Sequence, residues 1–442
     1  MISNKDMQVV VLMGGLGTRL KEITESTPKA MVDIHGKPFF HYQIELLKWY
    51  GFKKFLFLIG YKGSVVEEYF KDGREFDISI NYSYDGDKLL GTGGAIKRAY
   101  DLLEDDFLVI YGDSYMDIEY SEVVNNYWEH KQKDNKKALM TIFRNKDSFD
   151  KSNVVYQENK LLCYDKKNKT PEMEYIDYGI SVMEKTVFEK LQENEFIDLA
   201  DIYTDLVKKG LMEGVIVRNR FYEIGTPGSL EEFKGYIYKR QIDKSPVMFL
   251  DRDGTLNEIV YNEDIETLDS PLSKEQFKLL PKTIDALKLF SSMGYRLVIV
   301  TNQPAAAKGK VPLGKLFEVN NMMRDVFAEN GVLLDDVLMC IHYPKPSPKV
   351  TSSYLIEDCQ CRKPKPGLLL KAMHKFNTDI SKSFMVGDSH VDVQAGKAVG
   401  LQTVFLGRYK CDVCQLIGDD KPDLTFKTLY EFAEFISRTQ NT

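Results

Sequence analysis

Short unbroken apolar runs alternate with amphipathic segments along the whole chain. In the first half Val9–Met13, Phe55–Ile59 and Phe107–Tyr111 read as strands buried on both faces, the pattern of a parallel sheet covered by helices. Phe40–Tyr50 spaces its apolar residues as a helix does. In the second half Val247–Leu250, Leu297–Val300, Phe384–Val386 and Thr403–Phe405 predict further strands, with helical patterns between them. The alternation predicts α/β layers throughout. The charged stretch Leu230–Ser245 runs into Pro246 and predicts a helix followed by a linker. The chain therefore divides into residues 1–240, a linker at 241–246, and residues 247–442, each half long enough to bury its own core. No internal repeat or low-complexity tract interrupts this order.

Composition narrows the partners. The chain is 43% hydrophobic and 28% charged, with a formal net charge of −7. That sign argues against nucleic acid as a partner, while local Lys and Arg clusters can still hold small anions. No apolar run approaches the roughly 20 residues of a membrane span. The opening MISNKDMQVVVLMGG reads as a polar lead into a first strand, not as a signal peptide. Six cysteines without a secretion signal predict a cytoplasmic protein, where clustered Cys more often holds metal than forms disulfides.

Gly14, Gly15 and Gly17 follow the first strand directly. A turn without side chains brings backbone N–H groups close to phosphate oxygens. Arg19 and Lys29 can then counter the charge of a triphosphate during transfer. The full string Gly14-Gly15-Leu16-Gly17-Thr18-Arg19-Leu20, with Pro28-Lys29 downstream, resembles the signature of the sugar nucleotidyltransferases and not the Rossmann or Walker patterns. The resemblance implies a Rossmann-like fold in which Gly14, Gly15, Gly17 and Thr18 hold the nucleotide. It implies that Leu90-Gly91-Thr92-Gly93-Gly94 cradles the base and ribose, and that Asp113 of Tyr111-Gly112-Asp113 binds Mg²⁺. Glu223 in Phe221–Pro227 would complete the metal site. Many relatives carry Asp there, and the longer Glu arm shifts the metal while still offering oxygen. Asp177 of Asp177-Tyr178-Gly179 falls where relatives contact the sugar, although a strand end and turn would use the same residues. The implied reaction is a direct displacement: a sugar-phosphate oxygen attacks the α-phosphorus of a nucleoside triphosphate and pyrophosphate leaves. The stretch beyond Thr226 is too short for the β-helical tail of some relatives, so tetramers of that type are not expected. A simpler homo-oligomer stays open.

In the second half two aspartates flank one residue after an apolar strand, in Asp251-Arg252-Asp253-Gly254-Thr255. This spacing suits a nucleophile, Asp251, that becomes phosphorylated, and an acid/base, Asp253, that protonates the leaving oxygen and then activates water. The string resembles the first motif of the haloacid-dehalogenase (HAD) phosphatases, and the later motifs follow in order. The resemblance implies that Thr301 and Asn302 bind phosphate, that Arg362, Lys363 and Lys365 supply the cationic motif, and that Asp388 binds Mg²⁺ with Asp251 and the Asp253 carbonyl. Asp392 would serve as a ligand or as support to one. Which of Lys363 and Lys365 touches the transferring phosphoryl is left open. Cys340-Ile341-His342 and Cys359-Gln360-Cys361 form a Cys₃His set able to bind Zn²⁺ tetrahedrally, with no open position and so a structural role. This zinc loop resembles that of the histidinol-phosphate and heptose-1,7-bisphosphate phosphatases. After Thr301-Asn302-Gln303 the chain reads Pro304-Ala305-Ala306-Ala307-Lys308-Gly309, which departs from those relatives near the substrate. Cys411 and Cys414 read as two reduced thiols in a late loop.

Together the resemblances imply consecutive steps: a phosphatase removes the 7-phosphate of a D-glycero-D-manno-heptose 1,7-bisphosphate, and a transferase activates the 1-phosphate with GTP. Two alternatives accompany this expectation. The same chemistry could serve another sugar or polyol phosphate with CTP or UTP, or one half could be inactive and regulatory. The expected partners are a nucleoside triphosphate and a phosphorylated sugar or polyol, with no nucleic acid and no membrane. The expected cofactors are Mg²⁺ in both halves and Zn²⁺ in the second.

Overall fold

The computed structural model describes residues 4–15, 24–25, 27–86, 90–262, 267–345, 353–407 and 421–440. The chain forms two compact units, Met1–Tyr236 and Ile237–Thr442.

The first unit is built on a nine-stranded mixed sheet. Gln8–Met13 lies at its centre and pairs in parallel with Lys54–Ile59 on one side and Asp106–Tyr111 on the other. Ser79–Tyr84 adds in parallel beyond Lys54–Ile59. Tyr175–Glu184 adds antiparallel beyond Asp106–Tyr111 and pairs in turn with Ala138–Arg144. All six residues of Gln8–Met13 are buried, as an unbroken apolar run between two helical layers requires. Its one polar member, Gln8, is held by its side chain: Nε2 donates to Leu102 O at 2.9 Å, and Oε1 accepts from Glu104 N at 3.0 Å. The helix Phe39–Trp49 buries Phe39, Phe40, Ile44 and Leu47.

The second unit has a six-stranded sheet that is parallel throughout. Its order is Asp336–Cys340, Arg296–Asn302, Val247–Leu250, Phe384–Gly387, Gln402–Leu406, Leu424–Phe426. Alternate residues of Val247–Leu250 feed separate cores: Met248 and Leu250 join Phe290, Phe327 and Phe432, while Val247 and Phe249 join Leu338, Leu369 and Phe376. The helix expected across Leu230–Ser245 ends at Ile237, and one wide turn follows at Tyr238–Ile242. The turn frees carbonyls for other partners: Lys239 O accepts from Arg296, and Ile242 O accepts from Asn377 Nδ2 at 2.6 Å. Among the described residues no helix is long and apolar enough to cross a membrane.

Candidate active sites

In the first unit the strand order reverses direction at Gln8–Met13, which opens a crevice at the carboxyl ends of the strands. A cavity of about 400 Å³ occupies it, lined among others by Gly14, Gly15, Lys29, Gly91, Thr92 and Asp113. Lys29 follows Pro28 in a short 3₁₀ turn, and its Nζ lies 2.9 Å from Asp113 Oδ2. Gly112 lets the Tyr111–Asp113 turn cross the end of the first strand. A Cβ there would stand 2.6 Å from Met13 Cγ, and Gly112 N donates to Leu12 O at 2.9 Å. Tyr222–Glu223 pairs antiparallel with Ser114–Tyr115, and Ile224 N donates to Asp113 O at 3.1 Å. The backbones that carry Asp113 and Glu223 are thereby brought side by side.

The second glycine loop is shaped by a neighbouring segment. Gly93 N and Gly94 N both donate to Ile197 O, at 2.9 and 3.1 Å. A Cβ on Gly91 would lie 2.6 Å from Ile197 O, and one on Gly94 2.6 Å from Glu195 O. Gly91 and Thr92 line the cavity, whereas Gly93 serves the close approach of segment 195–197. The Thr92 hydroxyl accepts from Leu199 N at 2.8 Å and so supports the start of the helix Leu199–Lys208. Asp177 sits in the long strand next to Asp106–Tyr111. Its carboxyl accepts from Gly179 N at 3.0 Å, and burial pushes its pKa up. Gly17, Thr18 and Arg19 lie outside the described residues. Asp85, which the sequence motifs do not mark, also lines the cavity.

In the second unit Asp251 follows Val247–Leu250 at the same kind of switch point, between Arg296–Asn302 and Phe384–Gly387. Oxygens of Asp251, Asp388 and Asp392 lie within 4.8 Å of one another. This set of hard oxygen donors fits a Mg²⁺-type cation. Asp392 is the third residue of the helix His390–Lys397, in a capping box with Ser389 that aims it back to the cluster. Gly254, at φ +84°, leaves room that no other residue could: a Cβ there would stand 2.0 Å from Asp388 Oδ2. Lys363 is buried, and its Nζ reaches Asp251 Oδ1 at 2.8 Å, Asp392 Oδ1 at 2.6 Å and Val300 O at 2.7 Å. Burial and the nearby Asp251 push Asp392 up to about 7, against the pull of Lys363.

The two lysines of the cationic motif separate here. Lys365 pairs with Asp358 at 2.7 Å and is not placed on the carboxylate cluster. Asn302 acts on Lys363 through the backbone, with Nδ2 donating to Lys363 O and Oδ1 accepting from Lys363 N, both at 3.0 Å.

Asp253 is organised by residues that the motif reading assigned no role. Arg252 is fully buried, and its Nε and Nη2 each donate to one Asp253 oxygen at 3.1 Å, while Nη1 donates to Asn320 Oδ1 at 2.7 Å. Asn257 Nδ2 and Gln303 Nε2 complete the set at 2.9 and 2.6 Å. Burial works to raise the Asp253 pKa, but the Arg252 guanidinium and these donors outweigh it and hold the carboxyl below its usual range. Gln303 also donates to the buried Thr301 hydroxyl at 2.9 Å.

Cys340, His342, Cys359 and Cys361 converge, with all four ligand atoms within 4.8 Å. The Sγ–Sγ separations of 3.1 to 3.5 Å are too long for disulfides and suit thiolates gathered for one tetrahedral ion. The cluster is tied to the carboxylate site twice: Gln303 N donates to Cys340 O at 2.7 Å, and Arg362 and Lys363 follow Cys361 directly. Arg362 lies over the Tyr343 ring at 5.3 Å, and Lys308 over the same ring at 4.7 Å. The divergent Ala305, Ala306 and Ala307 are buried against Leu313, Phe317 and Leu355, so packing accounts for them. Cys411 and Cys414 lie outside the described residues.

The model of the nucleotidyl transferase family matches residues 8–239, and that of HAD-hydrolase-like proteins matches residues 360–432. Over 229 residues the chain is 32% identical to the D-glycero-alpha-D-manno-heptose 1-phosphate guanylyltransferase of Campylobacter jejuni, covering 51% of this chain and 98% of that protein. Over 159 residues it is 37% identical to the D-glycero-beta-D-manno-heptose-1,7-bisphosphate 7-phosphatase of Pasteurella multocida, covering 36% of this chain and 79% of that protein. A D-glycero-alpha-D-manno-heptose-1,7-bisphosphate 7-phosphatase of Photorhabdus laumondii is 35% identical over 167 residues, covering 38% and 84%. The chain belongs to the nucleotidyl transferase family through its first half and to the HAD-like phosphatases through its second, two enzymes in one polypeptide.

Proposed function

We propose that the protein catalyses two consecutive steps of heptose activation. The second half removes the 7-phosphate of D-glycero-α-D-manno-heptose 1,7-bisphosphate, and the first half joins the resulting 1-phosphate to GMP from GTP with release of pyrophosphate. One observation carries this reading: a single chain resembles both a 7-phosphatase and a 1-phosphate guanylyltransferase, and loss of the 7-phosphate from the bisphosphate named for one relative leaves the 1-phosphate named for the other. Each compact unit would hold one activity, and a GTP-dependent reaction would run in the cytoplasm.

In the phosphatase half Asp251 attacks phosphorus, and the bond from phosphorus to the sugar oxygen breaks. As the anionic phosphate ester binds, its charge raises the Asp253 pKa from the lowered value of the free site, so that Asp253 takes up a proton, gives it to that leaving oxygen and then takes one from the water that attacks the aspartyl phosphate. Inorganic phosphate leaves and Asp251 is restored. Lys363 and Thr301 offer a cation and a hydroxyl to the phosphoryl oxygens. Asp251 and Asp388, with the Asp253 carbonyl, would hold Mg²⁺, which neutralises charge on the phosphoryl group. The Cys₃His cluster fits a structural Zn²⁺ that fixes the segment presenting Arg362 and Lys363. In the transferase half the sugar 1-phosphate oxygen attacks the α-phosphorus and the bond to pyrophosphate breaks. Lys29 counters the charge that develops there, while Asp113 and Glu223 would hold Mg²⁺. Gly14 and Gly15 leave backbone N–H groups open to the phosphates.

The test is a coupled assay with the full chain, Mg²⁺, the heptose 1,7-bisphosphate and each nucleoside triphosphate in turn. The expected result is phosphate in every tube and pyrophosphate with GTP alone. Phosphate with no pyrophosphate from any triphosphate would overturn the transferase assignment. Neither product, with efficient hydrolysis of another sugar or polyol phosphate, would overturn the heptose assignment.

A further inference from the structure

The ring of His342 offers its two nitrogens to different surroundings. Nδ1 lies among the thiols, 3.3 Å from Cys361 Sγ and 4.0 Å from Cys340 Sγ. Nε2 lies 3.9 Å from Glu357 Oε2. Glu357 stands between the two halves of the Cys-x-His and Cys-x-Cys pattern and belongs to neither. Backbone contacts bring it there. Tyr343 N donates to Leu355 O at 3.0 Å, Glu357 N donates to Tyr343 O at 3.2 Å, and Tyr343 pairs in parallel with Ile356. This short ladder sets residues 342–343 and 355–357 side by side.

With Nδ1 on a metal, the proton of a neutral imidazole sits on Nε2. An acceptor for that N–H fixes the tautomer and the ring plane, and makes Nδ1 a better donor to the metal. A carboxylate does this more strongly than an amide, because charge-assisted hydrogen bonds are about twice as strong as neutral ones. The Glu357 side chain is 41% exposed, so it has room to turn and close the 3.9 Å gap. Three thiolates already exceed the charge of one Zn²⁺, and a further carboxylate needs an opposing cation. Arg362 supplies it: Nη1 donates to His342 O at 3.5 Å, and the guanidinium lies over the Tyr343 ring. The neighbouring Asp358 is engaged elsewhere, paired with Lys365 at 2.7 Å.

We propose that Glu357 is a positioning residue of the Cys₃His cluster: its carboxylate accepts the Nε2–H of His342 and holds Nδ1 towards Zn²⁺. This rests on the zinc reading of that cluster.

The experiment measures the zinc affinity of the full chain by competition with a chromogenic chelator. Glu357→Ala should weaken binding by about 10- to 100-fold, and Glu357→Gln, which keeps an acceptor but loses the charge, by less. Asp358→Asn removes an exposed charge next to Cys359 and should shift the affinity by less than about twofold. His342→Cys keeps four ligands and removes the ring. In that background Glu357→Ala should lose its effect, to within about twofold. Wild-type affinity in Glu357→Ala would overturn the proposal. An undiminished loss in the His342→Cys background would overturn it too, as would an equal loss from Asp358→Asn, since both mark general charge and not a bond to the ring. The comparison with Asp358→Asn decides even where the His342→Cys protein binds no zinc. Wild type that binds no zinc would instead overturn the metal assignment on which the proposal stands.

Discussion

In the phosphatase site the charges meet opposite charges or donors within the protein: Lys363 sits between Asp251 and Asp392, and Arg252 forks onto Asp253. Among the described residues of the transferase site the Lys29–Asp113 ion pair stands at one place in the cavity wall, and Asp85 stands without a donor at another. The difference follows from what each site must recognise. A phosphoryl group is small and the same in every ester, so its surroundings can be assembled in advance from the protein's own groups. A nucleotide is long and varied, so its site leaves polar groups for the substrate to satisfy, and that need discriminates.

Substitutions should break this contrast in graded steps. Asp251→Asn should lower phosphate release from the 1,7-bisphosphate by at least about 10⁴-fold and leave pyrophosphate release unchanged when heptose 1-phosphate and GTP are supplied directly. Loss of both would show that the halves do not work independently. Lys363→Met leaves Asp251 and Asp392 facing each other unpaired. It should cut phosphate release by about 10²- to 10³-fold and lower the stability of the second half by about 3–5 kcal/mol in metal-free denaturant titrations. Cys359→Ser should remove bound zinc, read by metal analysis, and lower the melting temperature of the second half by about 10 °C. Arg252→Lys replaces a fork by a point charge and should cost about tenfold in phosphate release. It should also move the acid-unfolding midpoint of the second half upward. A depressed Asp253 pKa stabilises the fold above about pH 4, and that contribution is lost as pH falls towards the lowered value. The variant has less of it to lose. The smallest change is Glu223→Asp, expected to keep pyrophosphate release within about threefold because a charged carboxylate ligand remains, whereas Glu223→Gln, which loses that charge, should lose about 100-fold.

Much of both sites was legible before the fold. Unbroken apolar runs marked the central strands, because strands covered on both faces admit little else. Motif order marked Asp251, Asp253, Asp388 and the Cys₃His set, because that chemistry needs those atoms on adjoining strand ends. The supporting residues were not legible. Arg252 looks like any charged residue between two aspartates, and its burial depends on Asn320, 68 positions away on another element. Asp85 belongs to no motif, and its isolation emerges only when Gly14 and Gly60 are seen to clear space for it. The roles of Lys363 and Lys365, two residues apart, were divided by the turn between them, which no spacing rule encodes. Gly93, read from its motif as a ligand contact, also accommodates a neighbouring segment, which a glycine in sequence does not reveal because it shows the lack of a side chain and not its cause.

Gly254 bears on how this gene can vary. Every base change at the first or second position of a glycine codon either adds a side chain or ends the protein. Here an added carbon would fall on the Asp388 carboxylate, in a backbone conformation that side chains rarely adopt. Only third-position changes, which are silent, should persist in a library selected for phosphatase activity. The codon should therefore read as fixed in amino acid and free in nucleotide, although its residue takes no part in the reaction.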